Sequence, residues 1–144
     1  MEGKPRVYES AVIPAPRQKV WQKIRDFNAL PAWHPAIAKS ELEGGAGVGC
    51  VRHFFLQNGA ELRERLLSLS DLDCACVYSI LESPMPLKNY IATLRLYDIT
   101  ATNQTFAEWF AYFDVTDVSA EASTVETVQG VFKTGFESLV KFFS

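Results

Sequence analysis

The stretch that most restricts the fold of this chain is its last one, Glu121 to Phe143. Val125, Val128, Val131, Phe132, Phe136, Leu139, Val140 and Phe143 recur at intervals of three and four. That spacing gathers apolar side chains onto one stripe of an α-helix. A helix of this length runs roughly 35 Å at about 1.5 Å per residue, enough to cross a small domain, and it needs a broad apolar partner. The residues before it, from about Val48 to Asp117, read as consecutive antiparallel strands. The expected architecture is therefore α+β, with a curved sheet wrapped around the terminal helix. The function turns on whether that sheet closes onto the helix or leaves a hollow.

A chain of 144 residues fits one domain spanning 1–144, and 48% hydrophobic with 22% charged residues argues for a folded core. The net charge of -3 and the lack of any Lys or Arg run exclude a phosphate-binding stripe, so nucleic acid is not an expected partner. Met1 to Ser10 lacks the apolar core of a signal peptide, and no run has the length of a membrane span. These observations imply a cytoplasmic protein with no integral membrane segment. Cys50, Cys74 and Cys76 contain no C-x-x-C pair, and only His34 and His53 could join them on a metal. They read as reduced, partly buried thiols, Cys74 and Cys76 on the same face of a strand, and no cofactor or metal is expected.

Arg6 to Ile13 reads as the first strand, ended by Pro14 and Pro16. Val20, Trp21, Ile24 and Phe27 give Arg17 to Phe27 a helical period, and a second short helix or turn is expected in Asn28 to Pro35. Strands follow over Ile37–Glu43, Cys50–Leu56, Glu61–Ser70, Cys74–Ser83, Leu87–Thr100 and Thr105–Thr116. The glycine cluster Gly44 to Gly49 leads into a strand and lacks the Lys-Ser/Thr of a phosphate loop, so it reads as a hairpin turn. Asn58-Gly59 predicts a type I′ hairpin with positive φ at both residues. Ser119, or Ser123 with Glu126, is expected to cap the last helix.

Alternation assigns faces. In Glu61–Ser70, turning Leu62, Glu64, Leu66 and Ser68 inward buries one charge, whereas the other phase buries Arg63 and Arg65. In Leu87–Tyr97 the apolar set is Tyr90, Ala92, Leu94 and Leu96. The third and seventh strands stay ambiguous by pattern alone.

The order of elements, with Trp33-His34-Pro35, Gly44-Gly45, Val48-Gly49-Cys50 and Arg52, resembles the START-like or helix-grip (SRPBCC) superfamily. Further carriers are Glu64-Arg65-Leu66, Tyr78-Ser79-Ile80, Leu87-Lys88-Asn89-Tyr90 and the Gly135 to Leu139 turn. Within that superfamily the chain is similar to the bacterial polyketide cyclase/dehydrase-like family and, more distantly, to the plant abscisic-acid receptors and the birch pollen allergen. The resemblance implies a seven-stranded antiparallel sheet gripping the C-terminal helix, two short helices after the first strand, and an apolar cavity for a small hydrophobic molecule. By that resemblance Arg52, Phe54 and Leu56 line the cavity from the third strand, and Glu64 and Leu66 from the fourth. Tyr78 and Ile80, Tyr90 and Ala92, and Glu108 and Phe110 complete the sheet wall. Val131 and Gly135 form the helix side, Gly135 leaving space. Pro35 stands where the plant receptors carry their ligand-pairing lysine, and Ser83 to Pro86 lacks their mobile-loop residues, so hormone binding is not implied.

On those faces Arg52, Glu64 and Glu108 meet in an apolar hollow, which requires an arginine–carboxylate contact. They and His34 are the candidates for chemistry, although His34 reads first as a helix-end or surface residue and His53 as solvent-facing. Trp33 and Trp109 read as core. The leading expectation is binding or carriage of a polyketide-like or lipid-like molecule, oriented by Arg52, Glu64, Glu108 and Tyr78. The alternatives are a cyclase, aromatase or dehydratase using the same cavity without metal or covalent cofactor, and an interaction module meeting a partner through Pro84 to Pro86 or a strand edge. Homodimerisation is left open.

Overall fold

The computed structural model describes residues 3–144; the opening-residue reading therefore includes Met1 and Glu2, which lie outside the described residues. One antiparallel sheet of seven strands is formed by β1 (Val7–Ile13), β2 (Ile37–Glu43), β3 (Val51–Leu56), β4 (Glu61–Ser70), β5 (Ala75–Glu82), β6 (Leu87–Ile99) and β7 (Gln104–Val115). Its order is β1-β7-β6-β5-β4-β3-β2, so β1 and β2 are opposite edges. The chain passes from one edge to the other through α1 (Arg17–Ile24), a 3₁₀ turn at Phe27–Ala29 and α2 (Leu30–Trp33). Helix α3 (Glu121–Phe143) then lies in the sheet's concavity, as its apolar stripe requires.

The short helices are fixed to the sheet by side chains. The Trp21 indole and the Arg25 guanidinium both donate to Asp71 in the β4–β5 turn, at 2.8 Å each, and these bonds hold the Asp71 carboxyl below its ordinary pKa. The buried Thr105 hydroxyl donates to the Ala15 carbonyl at 2.7 Å, satisfying the chain where it leaves β1.

Local geometry departs from the expected turns in three places. Of the Asn58-Gly59 pair only Gly59 has positive φ, and its N–H donates to the Leu56 carbonyl at 2.9 Å. This is a three-residue hairpin loop closed by a left-handed glycine, not a type I′ turn. Cys74 lies in the β4–β5 turn at φ 51, ahead of the strand; all three thiols are free, as expected, and buried more completely than the partial burial expected of them. Neither serine caps α3: Asp117 accepts from the Ser119 N–H and hydroxyl and so caps the 3₁₀ turn Val118–Ala120 that feeds the helix.

Inward phases of β4 and β6 follow the alternation up to a bulge. In β4 the irregularity between Leu66 and Ser68 turns Ser68 out to solvent and packs Leu69 against the core. In β7 the inward residues are Thr105, Ala107, Trp109, Ala111 and Phe113. Glu108 and Phe110 consequently face away from α3, a correction to their expected place in the cavity wall. Phe110 stacks on Tyr8, and Glu108 accepts from the Tyr8 and Tyr97 hydroxyls at 2.8 and 2.9 Å.

Buried Val128, Phe132, Phe136 and Leu139 form the core stripe of α3. Phe132 stacks on Trp109 at 4.3 Å between centroids and 12° between planes. Gly135 lets this seam close. A Cβ there would stand 2.9 Å from ring atoms of both His34 and Trp109 and 3.2 Å from Trp33. The expected space at Gly135 is thus already filled by three rings. Gly130, on the same helix, faces nothing within 4 Å.

Two alanine substitutions should therefore move stability in opposite directions. Gly130→Ala gains helix propensity, up to about 1 kcal/mol. Gly135→Ala gains the same but forces buried rings apart, an overpacking cost of about 1–3 kcal/mol that outweighs it. Thermal melts should show a raised midpoint for the first and a lowered one for the second; a stabilised Gly135→Ala would refute the close-docking account.

Candidate functional site

Between the sheet and the N-terminal half of α3 lies a hollow of about 190 Å³. Strand β3 contributes Arg52, Phe54 and Leu56, β4 contributes Leu62 and Glu64, and β5 contributes Tyr78 and Ile80. Tyr90 of β6, Trp109 of β7, and Val128 and Val131 of α3 face them. The turns at Asn58–Ala60 and Ser83–Met85 stand at its rim with Thr127. Leu66 and Ala92, expected as lining, are inward and fully buried but belong to the solid core, and Gly135 is covered by its three rings.

One part of the wall is polar. Arg52 and Glu64 are directly opposed in the β3–β4 register, 6% and 5% exposed, so each charge needs the other. Arg52 Nε donates to Glu64 Oε1 at 2.8 Å, and Nη2 lies 2.7 Å from the same oxygen. Nη1 donates to the Phe27 carbonyl at 3.1 Å, and the guanidinium lies 3.9 Å from the Phe27 ring centroid and 4.9 Å from that of Tyr78. The helical entry segment thus closes over the ion pair. Burial pushes the Glu64 carboxyl above its ordinary pKa, with Arg52 pulling it back.

Beside the pair, the Trp109 indole N–H donates to the Tyr78 hydroxyl at 3.0 Å, with the Tyr90 ring 6.3 Å from that of Tyr78. Burial first, then Glu64, drives the Tyr78 pKa far above the ordinary phenol value; Tyr90 shifts the same way, with burial again foremost. Both phenols therefore stay protonated and can donate. Cys76, buried near this group, has its thiol pushed up to about 11 by burial and is no nucleophile at neutral pH.

His34 is not a surface residue; it ends α2 but is only 1% exposed. Its Nε2 donates to the Val131 carbonyl at 2.7 Å and its Nδ1 accepts the Ala36 N–H at 3.2 Å. Those two bonds require the neutral imidazole, and burial accordingly lowers its pKa, with the Arg52 charge adding to the effect. His34 is a clasp between α2 and α3 with neither nitrogen free for proton transfer. His53 lies on the outer face as expected, against Glu61 and near Arg63.

Trp109 escaped the sequence reading as a wall residue, yet a signal was present. The charge rule that chose the β4 phase, applied to β7, prefers Ala107, Trp109, Ala111 and Phe113 over the set containing Glu108.

Comparison with known proteins agrees with this architecture. The family described as "Polyketide cyclase / dehydrase and lipid transport" matches residues 4–143. The chain belongs to that family. As a polyketide cyclase/dehydrase and lipid transport family member it shares its helix-grip fold with XoxI from Bacillus cereus, at a TM-score of 0.88 and 31% identity over 95% of this chain and 94% of that one. An uncharacterised Bacillus thuringiensis protein is similar at a TM-score of 0.87 and 33% identity, covering 95% and 97%. Among curated proteins, the abscisic acid receptor PYL7 of Arabidopsis thaliana is 26% identical over 132 residues, which is 88% of this chain. The chain spans 63% of that receptor's length. Among the described residues of this family member, no helix is long and apolar enough to cross a membrane.

A His34 held neutral by the fold makes a pH prediction. With its folded pKa below the ordinary 6.5, its stabilising share is present above that value and is lost as pH falls toward the folded pKa. Urea unfolding should show stability dropping below about pH 6.5, with a slope of up to ~1.4 kcal/mol per pH unit from this group. Glu64 shifts the other way and persists in His34→Gln, so the difference between the two curves isolates the imidazole. Parallel curves would mean that His34 is not held neutral.

Proposed function

We propose that this protein binds and carries a small hydrophobic or aromatic molecule in the hollow between sheet and α3. The observation that carries the reading is a mostly apolar, unfilled space with one polar wall, formed by the Arg52–Glu64 pair with Tyr78 and Tyr90. Apolar walls supply affinity, and the few polar groups fix orientation. Phe54, Leu56, Ile80 and Val131 take the first role, and Arg52, Glu64 and Tyr78 the second. The family's description, which includes lipid transport, supports the same reading, as does similarity to a receptor named for a small molecule. The three free buried cysteines suit a reducing, cytoplasmic setting.

Carriage is favoured over ring closure by the state of the polar groups. General acid–base chemistry needs a proton acceptor within reach of the substrate. His34 has both nitrogens engaged and Glu108 is on the outer face, so of the candidate groups Glu64 alone presents a carboxylate to the hollow, and one of its oxygens is held by Arg52.

Filling the hollow tests the proposal. Val131→Phe should leave the melting midpoint unchanged or raised while weakening toluene binding, followed by chemical-shift titration, at least about tenfold. Native mass spectrometry should find a small molecule retained by the wild-type protein and lost from this variant. Wild-type protein that retains nothing and does not respond to toluene would sink the carrier reading.

A further inference from the structure

The size and charge of the hollow narrow what can occupy it. Its volume is about 190 Å³. An engineered apolar cavity of about 150 Å³ takes a benzene molecule, and ligand sites for drug-sized molecules run to roughly 300–1,000 Å³. The available space therefore fits one substituted ring or a comparably short chain. A fused three-ring system or a long acyl chain exceeds it.

Charge imposes a second restriction. Among the described residues that line the hollow Arg52 is the one cation, it already has a carboxylate partner, and Glu64 itself lines the space. A ligand carboxylate would enter as an uncompensated charge beside Glu64, in surroundings where an unpaired ion is strongly disfavoured. Uncharged polar groups meet a suitable surface. Both Arg52 contacts to Glu64 go to Oε1, and no described residue donates to Oε2. Oε2 is thus open to a ligand hydroxyl. The guanidinium has more N–H groups than its protein contacts use, and Tyr78 accepts from Trp109, leaving its own proton to donate to a hydroxyl or carbonyl oxygen.

Resting on the carrier reading, we infer that the hollow selects an uncharged, one-ring-sized molecule bearing a hydroxyl or carbonyl group and rejects carboxylates and larger hydrophobes. Calorimetric titration at neutral pH with para-ethylphenol, para-ethylbenzoate, anthracenemethanol and palmitate tests it. The phenol should bind at least about tenfold tighter than the matched benzoate, and the two large probes should give no binding. A benzoate bound as tightly as the phenol, or a large probe bound more tightly, would overturn the inference and leave the carrier reading intact. Failure of all four probes would overturn both. Glu64→Gln frees the Arg52 charge and should shift preference toward the benzoate by about tenfold; an unshifted preference in the folded variant would count against the charge argument. The wild-type series decides the matter even if that variant does not fold.

Discussion

The close approach of α3 to three aromatic rings at Gly135 is the contact on which the other features depend. With no side chain at that position, His34, Trp33 and Trp109 reach the helix, and Phe132 can stack on Trp109. His34 then donates to the Val131 carbonyl, tying the edge-crossing segment to the helix. The seam gathers elements from distant parts of the chain into one contact: α2 from near its start, β7 from its last strand, and α3. From Gly135 onward α3 buries Phe136 and Leu139 in the core. Earlier, at Thr127, Val128 and Val131, it borders the hollow. The fixed seam spaces the helix from the sheet at that end, as close-packed interiors transmit position.

The ion pair explains how such a hollow tolerates charge. A buried guanidinium is costly unless paired and hydrogen-bonded. Arg52 meets that condition with Glu64, the Phe27 carbonyl and the faces of Phe27 and Tyr78. The pairing also gives the guanidinium its counter-charge, so the polar wall does not present a lone cation. Family membership by itself does not imply that character, because one fold hosts many ligand chemistries. It follows from which residue stands opposite Arg52 across the β3–β4 ladder.

Much of the fold was legible because it rests on local periodicity. The three-and-four spacing in Glu121–Phe143 marked α3 with the bounds it has, and the strands of the sheet announced themselves by composition and turn residues. Within the site, Arg52, Glu64, Tyr78 and Tyr90 were readable, since alternation together with the family resemblance put them on one face. Glu108 was misread because β7 carries large residues on both faces, and hydrophobic pattern cannot choose between two aromatic sides. The outward choice is made by Tyr8 and Tyr97, whose hydroxyls flank Glu108 from neighbouring strands.

His34 and Gly135 mark the boundary between what sequence and structure each determined. Composition, element order and the face of most strands are properties of short windows, so the sequence alone determined a sheet gripping a helix and an arginine with acidic company. Whether Gly135 meant space or contact, whether His34 faced water or the helix, and how large a hollow survived are set by groups up to about a hundred residues apart in the chain. Those were decided only by tertiary packing, because the distance between two surfaces depends on every side chain that props them apart, and no window of sequence contains them all.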